Sequence, residues 1–355
     1  MSKKITLQAN DYLEVYMFDV GRGLAMLIKT PHNYAMLYDL GSSEELSPIA
    51  DIYRSGSFFD NMQKLDGLER KIAQCIISHP HLDHISDLTD ENADFIKVES
   101  SLVSCQNDKD KAAGQADGHK IDFSRIKNPG GDKKVDNYKS LYGERNLPLV
   151  TFNPNVDGVD FQVGYYYLTH EQADELFPKN DQEYANSLSI VLYMSYCGLT
   201  ILVPGDVTPE AFELILKGKC EKRFTDYKRK MNEDKRQKWA QETSDQPNLK
   251  TLLEKKGLTV LVAPHHGLES GFPQCLFDLL GDNKPEIILI SERSQTENSG
   301  SVDKRYQDGT CSKGVYLDGK TRYSLTTRND GHIKVCFKSD GKGSVDYFSD
   351  YKGMF

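Results

Sequence analysis

The sequence lacks any apolar run near the roughly 18 residues that a membrane-spanning helix needs. Its opening segment, MSKKITLQAN, also lacks the apolar stretch of a secretory signal. The seven cysteines are scattered, odd in number and without a CxxC pair, which argues against a disulfide framework and against a cysteine zinc site. We therefore expect a cytoplasmic protein with reduced thiols and no membrane partner.

Positive charge is also scarce overall. The 355 residues carry a formal net charge of −9, which argues against a broad surface that binds nucleic acid non-specifically. Gly21 and Gly23 complete no GxGxxG and precede no Lys-Ser/Thr, so we interpret them as a turn rather than a phosphate loop. No serine lies in a nucleophile-elbow sequence, which argues against a Ser–His–Asp triad.

Short apolar runs separated by turn residues predict a layered α/β protein. The helices are expected within Pro48–Leu68, from Ile85, at Glu171–Phe177 and from Thr208, where Thr-Pro-Glu is a strong helix start. Asn329-Asp-Gly331 lies between two alternating runs, at 322–328 and 332–337, and predicts a β-hairpin. The other strands are expected at Leu13–Phe18, Ala25–Lys29, Tyr34–Tyr38, Ile72–Ile77, Phe161–Leu168, Ser187–Met194, Thr200–Val203, Thr259–Val262 and Ile287–Ile290.

Two polar stretches, about 104–147 and 217–250, are predicted to be insertions in a single domain that spans 1–355. The first has little apolar periodicity and is interpreted as a loop-rich surface segment. The second mixes both charge signs and holds the sole tryptophan, Trp239. Mixed charge favours a solvated helix, with a nucleic-acid contact as the alternative.

Residue types that bind metals follow directly after three separate apolar runs. In layered α/β folds the ends of buried strands converge on one sheet edge, so these residues can meet in one pocket. Imidazole and carboxylate suit Zn²⁺ and neighbouring first-row divalent metals, and two such ions suit hydrolysis. The candidates are His79, His81, Asp83 and His84 after the first run, Asp206 after the second, and His265 and His266 after the third.

Their spacing predicts a division of labour. His79-x-His81 can grip one metal, Asp83 and His84 can turn toward a second, and Asp206 can bridge the two. One histidine of the 265/266 pair would complete the second site. Asp39 ends a predicted strand, and we expect it to support the metal loop through hydrogen bonds. The remaining histidines have no partner motif and are interpreted as structural or solvent-exposed: His32, His119, His170 and His332.

HPHLDH at 79–84 resembles the HxHxDH signature of the metallo-β-lactamase superfamily. Within it, the chain is similar to the hydrolase domain of ComEC competence proteins and their stand-alone relatives. The resemblance implies an αββα sandwich, two mixed β-sheets flanked by helices, with the metals at one edge. The matching segments are FDVGRGLAMLIKTP (18–31), LYDLGSS (37–43), SHPHLDHISDL (78–88), NSLSIVLYMSYCGLTILVPGDV (186–207), APHHGLESGF (263–272) and TTRNDGHI (326–333).

The resemblance also implies roles for the ligands of two divalent ions, Zn²⁺ or Mn²⁺. By this likeness His79 and His81 hold the first metal, and Asp83, His84 and His265 hold the second. Asp206 bridges, so that Asp83, His84 and Asp206 are the residues closest to catalysis. The strand–x-Pro-His pattern of the family favours His265 as the last ligand of the second metal. His266 is the alternative that replaces or assists it.

The chain departs from the family pattern at three points. Asn186 lies where the superfamily has its middle histidine, so it is a candidate metal- or substrate-binding residue and the first metal has fewer protein ligands. Leu24 replaces a usual acidic residue. The membrane channel of competence proteins is missing, so DNA uptake is not expected.

These features predict a phosphodiesterase, a nuclease that cleaves DNA or RNA with a water activated by two metals. By analogy, the stand-alone relatives imply a role in bacterial defence, and cations of 217–238 would steer the polyanion. One alternative, favoured by the acidic balance, is hydrolysis of a small molecule: a cyclic nucleotide, phosphoester, lactone or thioester. The second alternative is a non-catalytic metal-binding protein whose charged insertions contact a protein partner.

Overall fold

The computed structural model describes residues 12–31, 33–54, 62, 72–100, 103–105, 123–126, 132–143, 160–226, 247–292 and 301–355. Within these ranges the apolar runs form two seven-stranded mixed sheets and one small hairpin. In spatial order, the first sheet contains β16 (Gly343–Phe348), β15 (His332–Lys338), β1 (Tyr12–Met17), β2 (Ala25–Lys29), β3 (Ala35–Leu40), β4 (Ile72–Ile77) and β5 (Val103–Cys105).

The second sheet mirrors the first in mixing parallel and antiparallel pairs. Its order is β14 (Ser324–Thr326), β11 (Ile287–Ile290), β10 (Val260–Val262), β8 (Leu199–Val203), β7 (Val191–Tyr196), β6 (Phe161–Tyr167) and β9 (Glu221–Asp226). Strands β3, β4 and β5 run parallel in the first sheet, as do β8, β10, β11 and β14 in the second. The separate hairpin joins β12 (Val315–Leu317) to β13 (Lys320–Arg322).

The core strands are buried on both faces, and β3 shows why. Met36 and Tyr38 face the second sheet, whereas Ala35 and Leu37 face the outer helices, as the two-residue period of a strand requires. Strands covered on both sides have continuous apolar runs rather than alternation. The αββα arrangement of two mixed sheets flanked by helices is therefore confirmed.

Helices cover the outer face of each sheet. On the first sheet these are Pro48–Arg54, α1 (Leu82–Ile85), α2 (Asp90–Glu99) and α3 (Asp132–Gly143). Beside the second sheet lie α4 (His170–Leu176), α5 (Asp181–Ser187), α6 (Pro209–Leu216), α7 (Leu249–Lys256) and α8 (Gln274–Leu280). Short helical turns occur at Phe123–Arg125, Pro264–Gly267, Glu269–Gly271, Lys304–Tyr306, α9 (Thr327–Asp330) and Tyr351–Met354.

The start of α6 follows its sequence signal. The Thr208 side chain accepts a hydrogen bond from the backbone N–H of Ala211, and Pro209 occupies the first turn, where its missing N–H costs nothing. None of the described helices is long and apolar enough to cross a membrane.

The predicted hairpin at Asn329-Asp-Gly331 is wrong. Instead, β14 ends at Thr326, whose side chain caps the short helix α9, and Gly331 then turns the chain into β15 with φ +78°. β14 pairs with β11 of the second sheet, while β15 pairs with β1 of the first. The cap at Thr326 competes with the turn signal and carries the chain from one sheet to the other.

The insertions also differ from expectation where they are described. Helix α3 lies within the predicted loop-rich segment 104–147 and buries Val135, Tyr138 and Leu141 against the first sheet's outer face. In 217–250, residues 221–226 form strand β9 rather than a solvated helix, because they pair with β6 at the sheet edge. Residues 227–246, with Trp239, lie outside the described residues, as do His32 and His119.

Candidate metal centre

The loop after β4 carries the first cluster of candidate ligands. The strand is wholly buried, and Ser78 follows it with a backbone N–H that donates to Asp39 Oδ1 at 2.6 Å and a hydroxyl that donates to Oδ2 at 2.7 Å. Asp39 itself ends β3 with φ +56°. Neighbouring parallel strands therefore end side by side, and the Asp39 carboxylate joins their loops.

Asp39 also orients His84. The two side chains are fully buried, and His84 Nδ1 lies 2.7 Å from Asp39 Oδ2. A carboxylate accepts, so Nδ1 carries the proton and Nε2 is left to bind a metal. His84 Nε2 lies 3.2 Å from Asp206 Oδ1.

Asp206 is the point where the loops of the two sheets meet. It follows β8, and its backbone N–H donates to the Ser189 hydroxyl at 3.1 Å. Its carboxylate oxygen Oδ2 lies 3.5 Å from His266 Nε2 and 4.0 Å from both His79 Nε2 and His265 Nε2. This central position gives the carboxylate access to ligands from three loops.

His265 and His266 follow β10 in an unusual backbone conformation. Both are left-handed, with φ of 49° and 56°, a region that non-glycine residues adopt only when the surroundings compensate. His266 Nδ1 lies 3.2 Å from the Ser291 carbonyl, to which it donates, so Nε2 points to Asp83 Oδ2 at 3.3 Å. The left-handed turn thus sends two adjacent imidazoles into one site.

The structure places His266, not His265, with Asp83 and His84. One ligand atom from each of Asp83, His84, Asp206 and His266 lies within 4.8 Å of the others. The expectation that favoured His265 for this position came from the strand–x-Pro-His pattern of the resembled family. The left-handed backbone instead turns the second imidazole, that of His266, toward Asp83.

His79 and His81 lie on the other side of Asp206. Their ring nitrogens Nε2 and Nδ1 are 3.0 Å apart, and His79 Nδ1 lies within hydrogen-bond reach of the hydroxyls of Ser78 and Ser189, at 3.1 and 3.3 Å. We call Asp83, His84 and His266 the Asp83 half, and His79, His81 and His265 the His79 half, with Asp206 between them.

The Asp83 half fits a divalent cation. His84 Nε2 and His266 Nε2 are buried yet make no hydrogen bond among the described residues. Zinc bonds of about 2.0–2.2 Å put tetrahedral ligand atoms roughly 3.3–3.6 Å apart. Three imidazole–carboxylate contacts, at 3.2, 3.3 and 3.5 Å, are close to this spacing; they use both oxygens of Asp206, and the four ligand atoms together lie within 4.8 Å of one another.

Charge in the Asp83 half follows from the same proximity. Burial would raise the pKa of Asp206, but the imidazoles of His84 and His266 outweigh it and hold that pKa well below its ordinary value. Burial opposes protonation of His266, yet the Asp206 and Asp83 carboxylates raise its pKa to about 9. Without a cation, protons on imidazole balance these carboxylates.

The His79 half has the opposite balance. Burial, with a further contribution from His84 and His81, lowers the pKa of His79 well below its ordinary value. Burial likewise lowers the pKa of His81 and of His265. These imidazoles are neutral at pH 7 and already have the protonation state of a metal ligand.

Asn186 is buried at the end of α5, and neither polar atom of its side chain has a hydrogen-bond partner among the described residues. A buried amide without a hydrogen-bond partner destabilises the fold, so Asn186 stays a candidate metal- or substrate-binding residue. Ser189, three residues later, contacts both His79 and the Asp206 backbone.

A cavity of about 1550 Å³ opens onto the centre. His81, Asp83, Asp206 and His265 form part of its wall, so a ligand in the cavity can reach both halves. Outside the candidate ligands, the charged residues that line it are Asp19, Glu44, Glu45, Asp181, Glu292, Asp350, Arg22, Lys179 and Arg328.

His332 is a cavity residue that the sequence did not single out. Its Nδ1 accepts a hydrogen bond from the backbone N–H of Asp19 at 3.0 Å. His170, in contrast, lies on α4, where its Nδ1 is 3.1 Å from the Tyr184 hydroxyl. In the sequence, only an indirect feature points to this contact. The Asp19–Gly23 loop, which His332 contacts, follows a strand in the same way as the loops that carry the candidate ligands.

Comparison with known proteins gives only weak likenesses. No family model matches the chain, and no curated protein matches it. Among solved structures, the metallo-β-lactamase fold protein YhfI from Bacillus subtilis is 12% identical with a TM-score of 0.27, over 54% of this chain and 62% of that one. The chain therefore spans less than two thirds of that protein.

Two further structures overlap it at similarly low identity. A CmlA β-hydroxylase variant (E377D) is 12% identical with a TM-score of 0.33, over 79% of this chain and 52% of that one. A long form RNase Z from yeast is 10% identical with a TM-score of 0.33, over 84% and 40%. At these scores the likenesses carry no argument, and the architecture is taken from the chain's own sheets.

Proposed function

We propose that this protein is a metal-dependent phosphodiesterase of the metallo-β-lactamase superfamily, similar to the ComEC-like hydrolases. The observation that carries the proposal is the buried set Asp83, His84, Asp206 and His266, spaced for a divalent cation and open to a large cavity. When bound, two divalent cations supply Lewis acidity and an activated water at neutral pH. The HxHxDH motif at 79–84 agrees with this assignment.

The protein's own residues would divide the remaining work. The Asp83 half would hold one cation, and the His79 half would hold the other, with Asp206 shared. His265 then takes the place in the His79 half that the missing middle histidine leaves open, because its Nε2 lies as far from Asp206 Oδ2 as that of His79. Asp39 holds His84 in the tautomer that a metal requires.

Cleavage of DNA or RNA is the first activity to test. The ComEC-like segments support it, and only such cleavage would support an extension to bacterial defence. We also propose a cytoplasmic location, which the scattered cysteines without a CxxC pair favour.

A small phosphodiester is the second candidate substrate, favoured by the cavity's charge. Among its described lining residues outside the candidate ligands, six acids stand against three bases. An acidic wall repels a long polyanion more than a molecule with one phosphate. The basic residues of the second insertion, within 227–246, lie outside the described residues. An experiment therefore decides between DNA or RNA and a small phosphodiester as the substrate.

The test uses purified protein with Mn²⁺ or Zn²⁺ and five substrates: plasmid, single-stranded DNA, RNA, bis-p-nitrophenyl phosphate and a cyclic nucleotide. We expect cleavage that Asp83→Ala/His84→Ala abolishes. Cleavage of the small diesters with intact polynucleotides would replace the nuclease by the second candidate. Absence of both bound metal and activity would favour a non-catalytic partner protein instead.

A further inference from the structure

Arg22 lies in the cavity wall beside the Asp83 half. Its side chain is 48% exposed, and its Nε is 3.5 Å from Asp83 Oδ2. This contact is longer than a good hydrogen bond and is shared with His266, which lies closer to the same oxygen at 3.3 Å. The guanidinium is therefore held next to the metal centre without being consumed by a buried ion pair.

The loop that presents Arg22 is fixed from several sides. Asp19 Oδ1 accepts a hydrogen bond from the Gly21 N–H at 3.2 Å, and the Asp19 N–H donates to His332 Nδ1. The carbonyl of Gly23 accepts a hydrogen bond from the Ser291 hydroxyl. Such contacts reduce the entropy that a positioned side chain loses when it binds a ligand.

Gly23 brings this loop directly onto the metal loop. It adopts φ +139°, and a Cβ at this position would lie 2.3 Å from the carbonyl oxygen of Asp83. Only glycine allows this approach. The distance between Arg22 and Asp83 is therefore set by backbone packing rather than by the flexible side chain alone.

The other cations of the described cavity wall are placed differently. Arg328 is paired with Glu292, with its Nη1 3.2 Å from the carboxylate. Lys179 is exposed on the connection between α4 and α5 and, among the described residues, makes no hydrogen bond or ion pair with a candidate ligand. Among these described residues, Arg22 combines exposure to the cavity with contact to the metal centre.

We propose that Arg22 binds the phosphoryl group of the substrate, a specificity that rests on the proposed phosphodiesterase function. Its planar fork donates two N–H groups to phosphate oxygens in a geometry that lysine does not reproduce. Asp83 would be a ligand of a cation bound in the Asp83 half, and its carboxylate would then be engaged by that cation. The Arg22 guanidinium then has its donors free for an anion that reaches the same cation.

The test measures binding of inorganic phosphate to the Zn²⁺-loaded protein by titration calorimetry, with bound zinc measured by mass spectrometry. We expect Arg22→Ala to weaken phosphate binding about tenfold or more, the range of a charge-assisted contact, with zinc content unchanged. Arg22→Lys should recover only part of the affinity. Lys179→Ala, which removes a cavity charge away from the centre, should change the affinity by about twofold at most because of salt screening.

Three outcomes would overturn the proposal. Phosphate affinity that is the same in Arg22→Ala, or absent from the wild type, removes the anion site. Loss of zinc from Arg22→Ala makes the residue a support for Asp83 instead. An equal loss of phosphate affinity in Lys179→Ala would show that any cation of the cavity wall has the same electrostatic effect, and that Arg22 is not a specific anion site. Because the readout needs no turnover, phosphate binding that depends on Arg22 in a protein without hydrolytic activity would refute the proposed function alone.

Discussion

The Asp83 half and the His79 half share Asp206 but differ in compactness and in protonation. In the Asp83 half the imidazole and carboxylate atoms lie 3.2 to 3.5 Å apart, whereas His79 Nε2 and His265 Nε2 lie 4.0 Å from the shared carboxylate. Two carboxylates raise the pKa of His266, while burial lowers that of His79. The imidazoles of the Asp83 half are therefore charged and close to a carboxylate, and those of the His79 half are neutral and farther from one.

This difference would make two unequal cation sites at one edge of the fold. An acid in each of two loops makes the Asp83 half electrostatically attractive to a cation, and its ring nitrogens are already turned inward. The His79 half offers neutral nitrogens and depends on Asp206 for its negative charge. We therefore expect tighter binding of the cation in the Asp83 half.

The largest predicted effect follows from removing the carboxylate common to both halves. Asp206→Ala should abolish binding of both cations and lower kcat/KM by at least about a thousandfold, since metal ions contribute several kcal/mol to the transition state. Metal analysis and hydrolysis of bis-p-nitrophenyl phosphate measure the two effects. Glu45→Gln, which removes an exposed cavity acid, is the matched control. Retention of both cations by Asp206→Ala would refute its bridging position.

The second prediction separates the adjacent histidines. His266→Ala should lower metal affinity of the tighter site by at least about a hundredfold, the upper range for losing a supporting contact. His265→Ala should leave the metal affinity of that site unchanged and lower only the affinity of the other site. Calorimetric titration of the metal-free protein with Zn²⁺ resolves the two binding steps. The reverse ranking would restore His265 to the Asp83 half.

The third prediction concerns the tautomer of the His84 imidazole in the Asp83 half. In Asp39→Asn the amide would donate to His84 Nδ1 and move the ring proton to Nε2, the nitrogen aimed at Asp206. Affinity at the tighter site should fall about 10- to 100-fold, with the weaker site little changed. Circular dichroism checks that the fold persists. Equal losses at both sites would show that Asp39 supports the loop as a whole.

The smallest effect concerns the loop that touches Asp83. Gly23→Ala and Gly21→Ala both place a side chain at positive φ, and each should cost about 1–3 kcal/mol in unfolding free energy. Only Gly23→Ala pushes against the Asp83 carbonyl, because nothing lies within 4 Å of a Cβ at Gly21. Urea denaturation should show a larger loss of stability in Gly23→Ala than in Gly21→Ala, and zinc titration should show weaker metal binding in Gly23→Ala alone.

Most of the architecture could be predicted from local patterns, and the failures have local causes. The apolar runs became the strands, because continuous apolar runs fit sheets covered on both faces. Helix α3 was missed although Val135, Tyr138 and Leu141 recur every three residues, because most of the other residues in this 12-residue helix are polar or charged. The hairpin at Asn329-Asp-Gly331 failed because the Thr326 side chain caps the backbone N–H of Asn329, three residues on, and starts helix α9 in place of the turn.

By itself the sequence determined which loops carry candidate ligands, since each metal-binding residue type follows an apolar run that forms a buried strand. Only the tertiary structure decided how the candidate ligands on those loops divide between the Asp83 half and the His79 half. It turned His266 rather than His265 toward Asp83, through a left-handed backbone that no spacing rule reports. It also brought Arg22 and His332 to the same cavity, because packing between loops more than 300 residues apart depends on the closed pair of sheets.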